Sequence, residues 1–374
     1  MMLIQVAPGQ SLQTVIDALP ADDQPVTIHL APGVYEEKIA LRRPHTRIEG
    51  ESAETTRITW HDGAAEILPD GKKRGTFRTA TLLVNARDCA LRNVMVENSA
   101  YPREQVGQAL ALYVDGDGFH CEDCTLKSCQ DTLFTAPLPP REIQKDGFIG
   151  PTQFLPRIPQ RQVYRHCRIE GDVDFIFGGA AAWFEDCDIV SIDGLRDHGD
   201  KKEPALGFCT AASTPEGQEF GYVFMKCRFQ GEGVPDGAIY LGRPWREFAK
   251  TVLLHCELGA HIRPEGWHDW NKPCFPATGY YAEFASTGAG SQGQRAAYVH
   301  RLTAEEAEKY TFERFWTSIR RMQPPDSFYF PYYSCKHPCL SITVIFCKMA
   351  FSLYLCCTQC IPVLRVLWVL LIFR

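Results

Sequence analysis

Apolar residues hold a helical period in only two stretches of this chain. In SLQTVIDALP, Leu12, Val15, Ile16 and Leu19 fall on one face, and Ser11 precedes them as a capping residue. In TAEEAEKYTFERFW, Thr303 is followed three residues later by Glu306, the spacing of a capping box. The pattern predicts short helices at these two places, bracketing a body in which no helical period persists.

The body repeats a different unit. DCALRNVMVEN (88–98), DCTLKSC (123–129), HCRIEGDVDFIFG (166–178), DCDIVSI (186–192), KCRFQG (226–231) and HCELGA (255–260) each open on a polar residue, then Cys, then an apolar residue two positions later. The cysteines at 89, 124, 167, 187, 227 and 256 are separated by roughly one or two multiples of a 20-residue unit. Short strands closed by turn residues at such a period predict a solenoid whose coils contribute strands to stacked sheets, with the cysteines in one internal column. A β-sandwich with a similar strand count is the alternative that pattern alone leaves open.

Composition narrows the class. With 374 residues, 45% of them hydrophobic and 22% charged, the chain reads as a soluble globular protein of one large or two ordinary domains. A formal net charge of −6 argues against nucleic acid as the main partner. The segment 324–374 differs from the rest: it carries one acid, Asp326, against Lys336, Lys348, Arg365 and Arg374, and six of the 16 cysteines. Lys348, Pro362 and Arg365 interrupt its apolar runs, and Val366–Phe373 is too short to span a bilayer. The expected organisation is therefore a solenoid domain over 1–323 and an apolar, Cys-rich tail over 324–374, disordered or membrane-associated. MMLIQVAPGQSLQTV lacks the basic and apolar regions of a secretory signal, so the chain reads as cytoplasmic as given, or extracellular if its N-terminus is incomplete. The ten cysteines outside the tail fit buried thiols. Cys121 and Cys124 form a C-x2-C with Cys129 nearby, but no second pair follows at a zinc-like distance, so no metal is expected.

Four blocks place polar side chains in apolar company: Gln108 in GQALAL, Gln130 and Asp131 in QDTLF, Asp174 in GDVDFIFG, and Arg243 beside Trp245 in LGRPW. A carboxylate buried alone among aromatic and β-branched residues is expensive, so Asp174 needs a partner from elsewhere in the chain. Stacked coils supply one, because they bring distant blocks onto one face, where the Arg243 guanidinium can take the carboxylate bidentately. Two acids, an arginine and two amides suit ester hydrolysis. One Asp, held ionised, attacks the carbonyl; the other, held protonated, donates to the leaving alkoxide; the amides stabilise the oxyanion. Beside them, residues 136–160 (APLPPREIQKDGFIGPTQFLPRIPQ) form a long proline-rich connection. Such a loop is usually functional or disordered. Its Arg141, Lys145 and Arg157 are candidates to meet carboxylates of a substrate.

The four blocks, in this order and spacing, resemble the signature segments of the pectinesterases (pectin methylesterases, the aspartyl esterases of carbohydrate esterase family 8). The similarity runs from about Ile4 to Trp316, includes TVIDALP and APGVYEEKI, and does not reach the tail. It implies a right-handed parallel β-helix. Residue by residue, it implies Asp174 as nucleophile and Asp131 as general acid and later base. Gln108 and Gln130 would form the oxyanion hole, Arg243 would orient Asp174, and Trp245 would stack on a sugar ring. Phe134, Phe175 and Trp183 are further candidate platforms for the substrate. The implied reaction removes the 6-O-methyl group from galacturonate units of pectin or of methylated oligogalacturonides, and no cofactor is implied. A monomer is expected, with membrane contact only through the tail. Three other readings fit parts of the pattern: a lyase or glycosidase of the same fold, an esterase or thioesterase acting on another acyl group, and a non-catalytic carbohydrate-binding solenoid.

Overall fold

The computed structural model describes residues 2–194 and 207–319, together with the backbone of 342–346 and 353–357. The chain divides into two units, Met1–Ile319 and Arg320–Arg374. The first is a right-handed parallel β-helix built on three parallel sheets of eleven, eight and seven strands. Each full coil places one short strand in each sheet. Phe119–Glu122, Thr125–Lys127 and Leu133–Thr135 form one coil, and Arg161–Arg165, Arg168–Gly171 and Val173–Gly178 form the next. Register is held coil to coil: in the seven-strand sheet Leu82, Leu112, Leu133 and Ile176 stack in line, followed by Thr210 and Gly242. The buried interior is a column of such apolar residues. On the eleven-strand sheet Tyr164, Phe184 and Phe224 stack face to face at 4.8 and 4.5 Å.

The polar–Cys repeat marks one corner of the coil. Asp123, His166, Asp186, Lys226 and His255 all have φ between 50° and 56°, the left-handed backbone that turns the chain from the eleven-strand to the eight-strand sheet in a single residue. The cysteine that follows points inward. Cys124, Cys167, Cys187, Cys227 and Cys256 succeed one another on neighbouring coils, each carbonyl accepting from the next coil, as in Arg168 N–H to Cys124 O at 2.9 Å and Asp188 N–H to Cys167 O at 2.9 Å. Cys89 does not join this column. Its coil contributes Val94, after Asn93 at φ 55°, and Cys89 stands one corner earlier, after Asp88 at φ 54°. The stretch DCALRNV contains two left-handed corners, and the pattern fits either. All ten cysteines of the described residues are free; nine are buried, whereas Cys274 is exposed, against the expectation of ten buried thiols.

Both expected helical regions exist. Leu12–Asp17 is capped by Ser11, which accepts from the Thr14 N–H, and it buries Leu12 and Ile16. The second region is split. Ala304–Ala307 carries the Thr303/Glu306 capping box, and Thr311 then caps a separate helix, Phe312–Thr317, by accepting from the Arg314 N–H. In the second unit, Ile342–Phe346 and Leu353–Cys357 pair antiparallel. The rest of the expected tail lies outside the described residues. No described helix is long and apolar enough to cross a membrane.

Candidate active site

The polar residues singled out in the sequence lie at or near the ends of four strands of the seven-strand sheet. Gln108 lies just before the strand Leu112–Val114, and Gln130 and Asp131 just before Leu133–Thr135. Asp174 is the second residue of Val173–Gly178, and Arg243 follows Ile239–Gly242. Backbone hydrogen bonds fix their order: Ala109 N–H donates to Gln130 O at 3.0 Å, and Asp131 N–H donates to Val173 O at 3.1 Å. Asp131 and Asp174 therefore sit on adjacent coils. Both have left-handed backbone, at φ 65° and 50°. That conformation is uncommon outside glycine, with Asp and Asn enriched in it, and it breaks the strand so that the side chain leaves the sheet face. At Asp174 the register shifts between Val173 and Ile176.

Arg243 meets Asp174 as a fork: Nε donates to Oδ1 at 2.8 Å and Nη2 to Oδ2 at 2.7 Å. The guanidinium also lies against two rings, 3.9 Å from the centre of Phe208 and 3.8 Å from that of Trp270. Planar stacking plus a bidentate carboxylate leaves it little freedom. Both acids are buried, with 8% of Asp131 and 7% of Asp174 exposed. Burial pushes both carboxyls above the usual range, but not alike. For Asp131 the nearby charge of Asp174 adds to burial and holds it well above the ordinary value, with Asp172 contributing in the same sense. For Asp174 the hydrogen bonds and charge of Arg243 oppose burial directly. The pair is thus arranged for Asp174 to ionise first and Asp131 to keep its proton. Gln108 and Gln130 are half-buried, and neither amide group makes a hydrogen bond to the described residues, so their N–H donors are free for an incoming oxygen.

Beside the acids lies an apolar wall on the outer face of the same sheet. Trp245 is half-buried, 5.6 Å from Phe177 and 6.4 Å from Phe77 and Phe134. Phe134 belongs to this wall, but it is fully buried behind Trp245 and supports that ring instead of offering a face of its own. Two of the expected platforms lie elsewhere. Phe175 is 0% exposed and points into the solenoid, because the left-handed Asp174 inverts the alternation and sends Phe175 and Ile176 both inward. Trp183 is 2% exposed on the eleven-strand sheet, packed against Phe312 and Phe315 beneath the last helix. The 136–160 connection is seated here through Phe148, 5.8 Å from Phe77 and 6.1 Å from Trp245. Arg157, a candidate for substrate carboxylates, is spent within the loop, donating to the carbonyls of Thr152, Gln153 and Leu155.

Several residues of the site escaped sequence reasoning. Phe208 and Trp270 clasp Arg243, and Lys272 lies 4.5 Å from the Trp270 ring centre with its ammonium on the carbonyl oxygens of Pro244 and Trp245. Burial pushes the Lys272 ammonium down to about 8, helped by Arg246 and Arg243. HDWNKP (268–272 and the following proline) follows the last regular coil and carries no repeat that marks it. Asp172 gave a signal, as the first of the two carboxylates of GDVDFIFG; it is buried against Arg103.

The family model for pectinesterases matches residues 7–318. Among curated proteins, Pectinesterase 31 of Arabidopsis thaliana is 32% identical over 82% of this chain and 87% of its own length. Pectinesterase QRT1 of the same plant is 30% identical over 82% of this chain and 73% of its own. The chain spans about half the length of other relatives, such as the probable pectinesterase/pectinesterase inhibitor 23, at 51% of that protein. Among solved structures, a pectin methylesterase in complex with hexasaccharide VII superposes with a TM-score of 0.67 at 27% identity, covering 84% of this chain and 95% of the other. The carrot pectin methylesterase superposes with a TM-score of 0.68 at 27% identity, covering 84% and 93%. None of these relatives supports the cytoplasmic placement expected from the N-terminus. Sequence and fold thus agree over the whole described solenoid, and the chain belongs to the pectinesterase family, a family of carboxylic ester hydrolases.

Proposed function

We propose that this chain demethylates galacturonate methyl esters of pectin through an acyl-enzyme on Asp174. The forked contact between Arg243 and Asp174, beside a second acid on the neighbouring coil, carries this reading. An Asp174 oxygen attacks the ester carbonyl carbon, and the carbonyl electron pair moves onto oxygen, where the Gln108 and Gln130 amides donate to it. The intermediate collapses with cleavage of the C–OCH3 bond, and the departing oxygen takes the Asp131 proton to leave as methanol. Asp131, now ionised, accepts a proton from water as that water attacks the mixed anhydride. Cleavage of the anhydride returns Asp174 as a carboxylate and leaves a free galacturonate acid. Trp245, set in its aromatic wall beside the acids, is the ring against which a sugar stacks. The neighbour solved with a hexasaccharide supports a cleft of oligosaccharide length.

Methanol release from methylated pectin tests the assignment. Asp174→Ala abolishes turnover with the fold retained by circular dichroism, and Asp131→Ala nearly does so. Gln130→Ala lowers kcat about 10²-fold, the scale of one lost oxyanion donor. A fully active Asp174→Ala protein refutes the mechanism.

A further inference from the structure

A second ion pair lies behind the two acids. Asp172 is 2% exposed. Its Oδ2 is 2.5 Å from Arg103 Nε, an ion-pair contact rather than a straight hydrogen bond. Its Oδ1 accepts from the Val173 N–H at 2.6 Å. Its own N–H donates to Cys129 O at 3.1 Å, and its carbonyl accepts from the Phe208 N–H at 3.0 Å. Two glycines make room for it: a Cβ on Gly194 would stand 2.0 Å from Asp172 Oδ2, and one on Gly207 would stand 2.0 Å from Asp172 O. Arg103 opens the short helix Arg103–Val106, which leads directly into Gln108, and its N–H donates to Gly194 O at 3.1 Å. The pair therefore ties the segment carrying one amide of the site to the coil carrying Asp174. An apolar pair of similar volume often stabilises a fold as well as a buried ion pair does.

We propose that Arg103 and Asp172 are positioning residues whose opposite charges divide the proton between the two acids of the site, favouring an ionised Asp174 and a protonated Asp131. This rests on the roles proposed above for those acids. Of the charged groups that face them, Arg243 at Asp131 alone works against the assignment. Asp131 faces Asp174, Arg243 and Asp172: the Asp174 and Asp172 charges work to keep its proton on, and Arg243 opposes them. Asp174 faces Arg243, Lys272 and Arg103, and each of the three works to take its proton off. Around Asp172 itself stand Arg103 and Cys129, and Cys129 in turn faces Glu104 and Lys127; burial pushes the Cys129 thiol up to about 12, so it adds no charge at working pH. Burial pushes Asp172 up to about 6, with Arg103 opposing, so the carboxylate is charged above that pH.

The pH profile of kcat/KM for methanol release reads this out. The acid limb follows ionisation of Asp174, and the alkaline limb follows loss of the Asp131 proton. Asp172→Asn removes the charge that holds the Asp131 proton and leaves Arg103 to favour ionised Asp174. Both limbs then move to lower pH, the alkaline one by about one unit, the scale of a single charge a few ångströms away. Arg103→Met leaves Asp172 unpaired and buried, so Asp172 takes up a proton. The acid limb moves to higher pH, the alkaline limb to lower pH, and the bell narrows. The double variant Arg103→Met/Asp172→Asn, which buries no lone charge, narrows in the same way, and Arg103→Lys restores the original width. Because Arg103 is partly exposed, its variants carry the test where an Asp172 variant does not fold. Profiles that superimpose on the parent, with only Tm changed, overturn the proposal. Asp174→Ala is assayed in parallel: if it is inactive while the profiles superimpose, only the role of the ion pair fails, whereas if it is active the acid roles themselves fail.

Discussion

Asp131 and Asp174 share backbone conformation, burial and neighbourhood, and differ in what each faces. Asp174 has a guanidinium locked onto both its oxygens, whereas Asp131 has two carboxylates near it and no such fork. Its folded carboxyl lies well above the ordinary range while its unfolded one does not. The folded state therefore keeps a proton above the pH at which the unfolded chain loses it, and stability falls as pH rises from the ordinary carboxylate range toward the raised value. Asp131→Asn removes that cost. We expect an inactive protein stabilised by about 1 kcal/mol, with Tm raised by about 2–4 °C and a shallower fall of Tm between pH 5 and 8 by differential scanning fluorimetry. An unchanged or lower Tm at pH 7 refutes it. At this scale the acids, amides and Arg243 were legible, because a polar side chain in an apolar run must have a reason. The aromatic candidates were less so. In a solenoid one face of a strand points to the core and the other outward, and a single left-handed residue, Asp174, inverts the count and turns Phe175 inward.

The corner is the element that makes the coil. Each left-handed residue between the eleven- and eight-strand sheets turns the chain without a loop, and polar residues hold the position because their side chains lie outside. Lys226, at φ 55°, tests this. Lys226→Gly is neutral or nearly so, since glycine enters this region freely, while Lys226→Ile costs about 1–2 kcal/mol from the β-branch in a left-handed backbone. Urea unfolding measures both, and equal midpoints for the two variants count against the corner argument. Strands and corners were readable in the sequence because they recur. The exceptions are instructive: DCALRNV offers two corners five residues apart, so its pattern also fits a cysteine column through Cys89, where Val94 stands. TAEEAEKYTFERFW contains a second cap at Thr311, so one expected helix is two.

At the scale of the molecule, charge is uneven around the cleft. Arg246 lies 4.7 Å from the centre of the Trp245 ring, its guanidinium pushed down to about 10 by burial, and it and Lys272 both donate to the Trp245 carbonyl oxygen. Among the described residues neither has a carboxylate within ion-pair distance. Two partly desolvated cations with no carboxylate at ion-pair distance favour an anionic neighbour, and free galacturonate next to a methyl ester supplies one. Arg246→Ala and Lys272→Ala are expected to raise KM about fivefold on partly de-esterified pectin and little on fully methylated pectin. As pH rises through about 8 Lys272 loses its charge, so the difference between the two substrates narrows. Equal effects on both substrates refute this reading. The convergence of four blocks on one face followed from the repeat, whereas Trp270 and Lys272 come from a stretch beyond it and were not foreseeable. The ladder of the seven-strand sheet has one further effect. Neighbouring strands stand about 4.8 Å apart, so the interval between Asp131 and Asp174 is a fixed step, set by hydrogen bonding and indifferent to chain length. The excursion at 136–160 leaves and re-enters the ladder without disturbing that step. Residues can be gained or lost there, recasting which polysaccharide is gripped, while the reacting atoms keep their spacing.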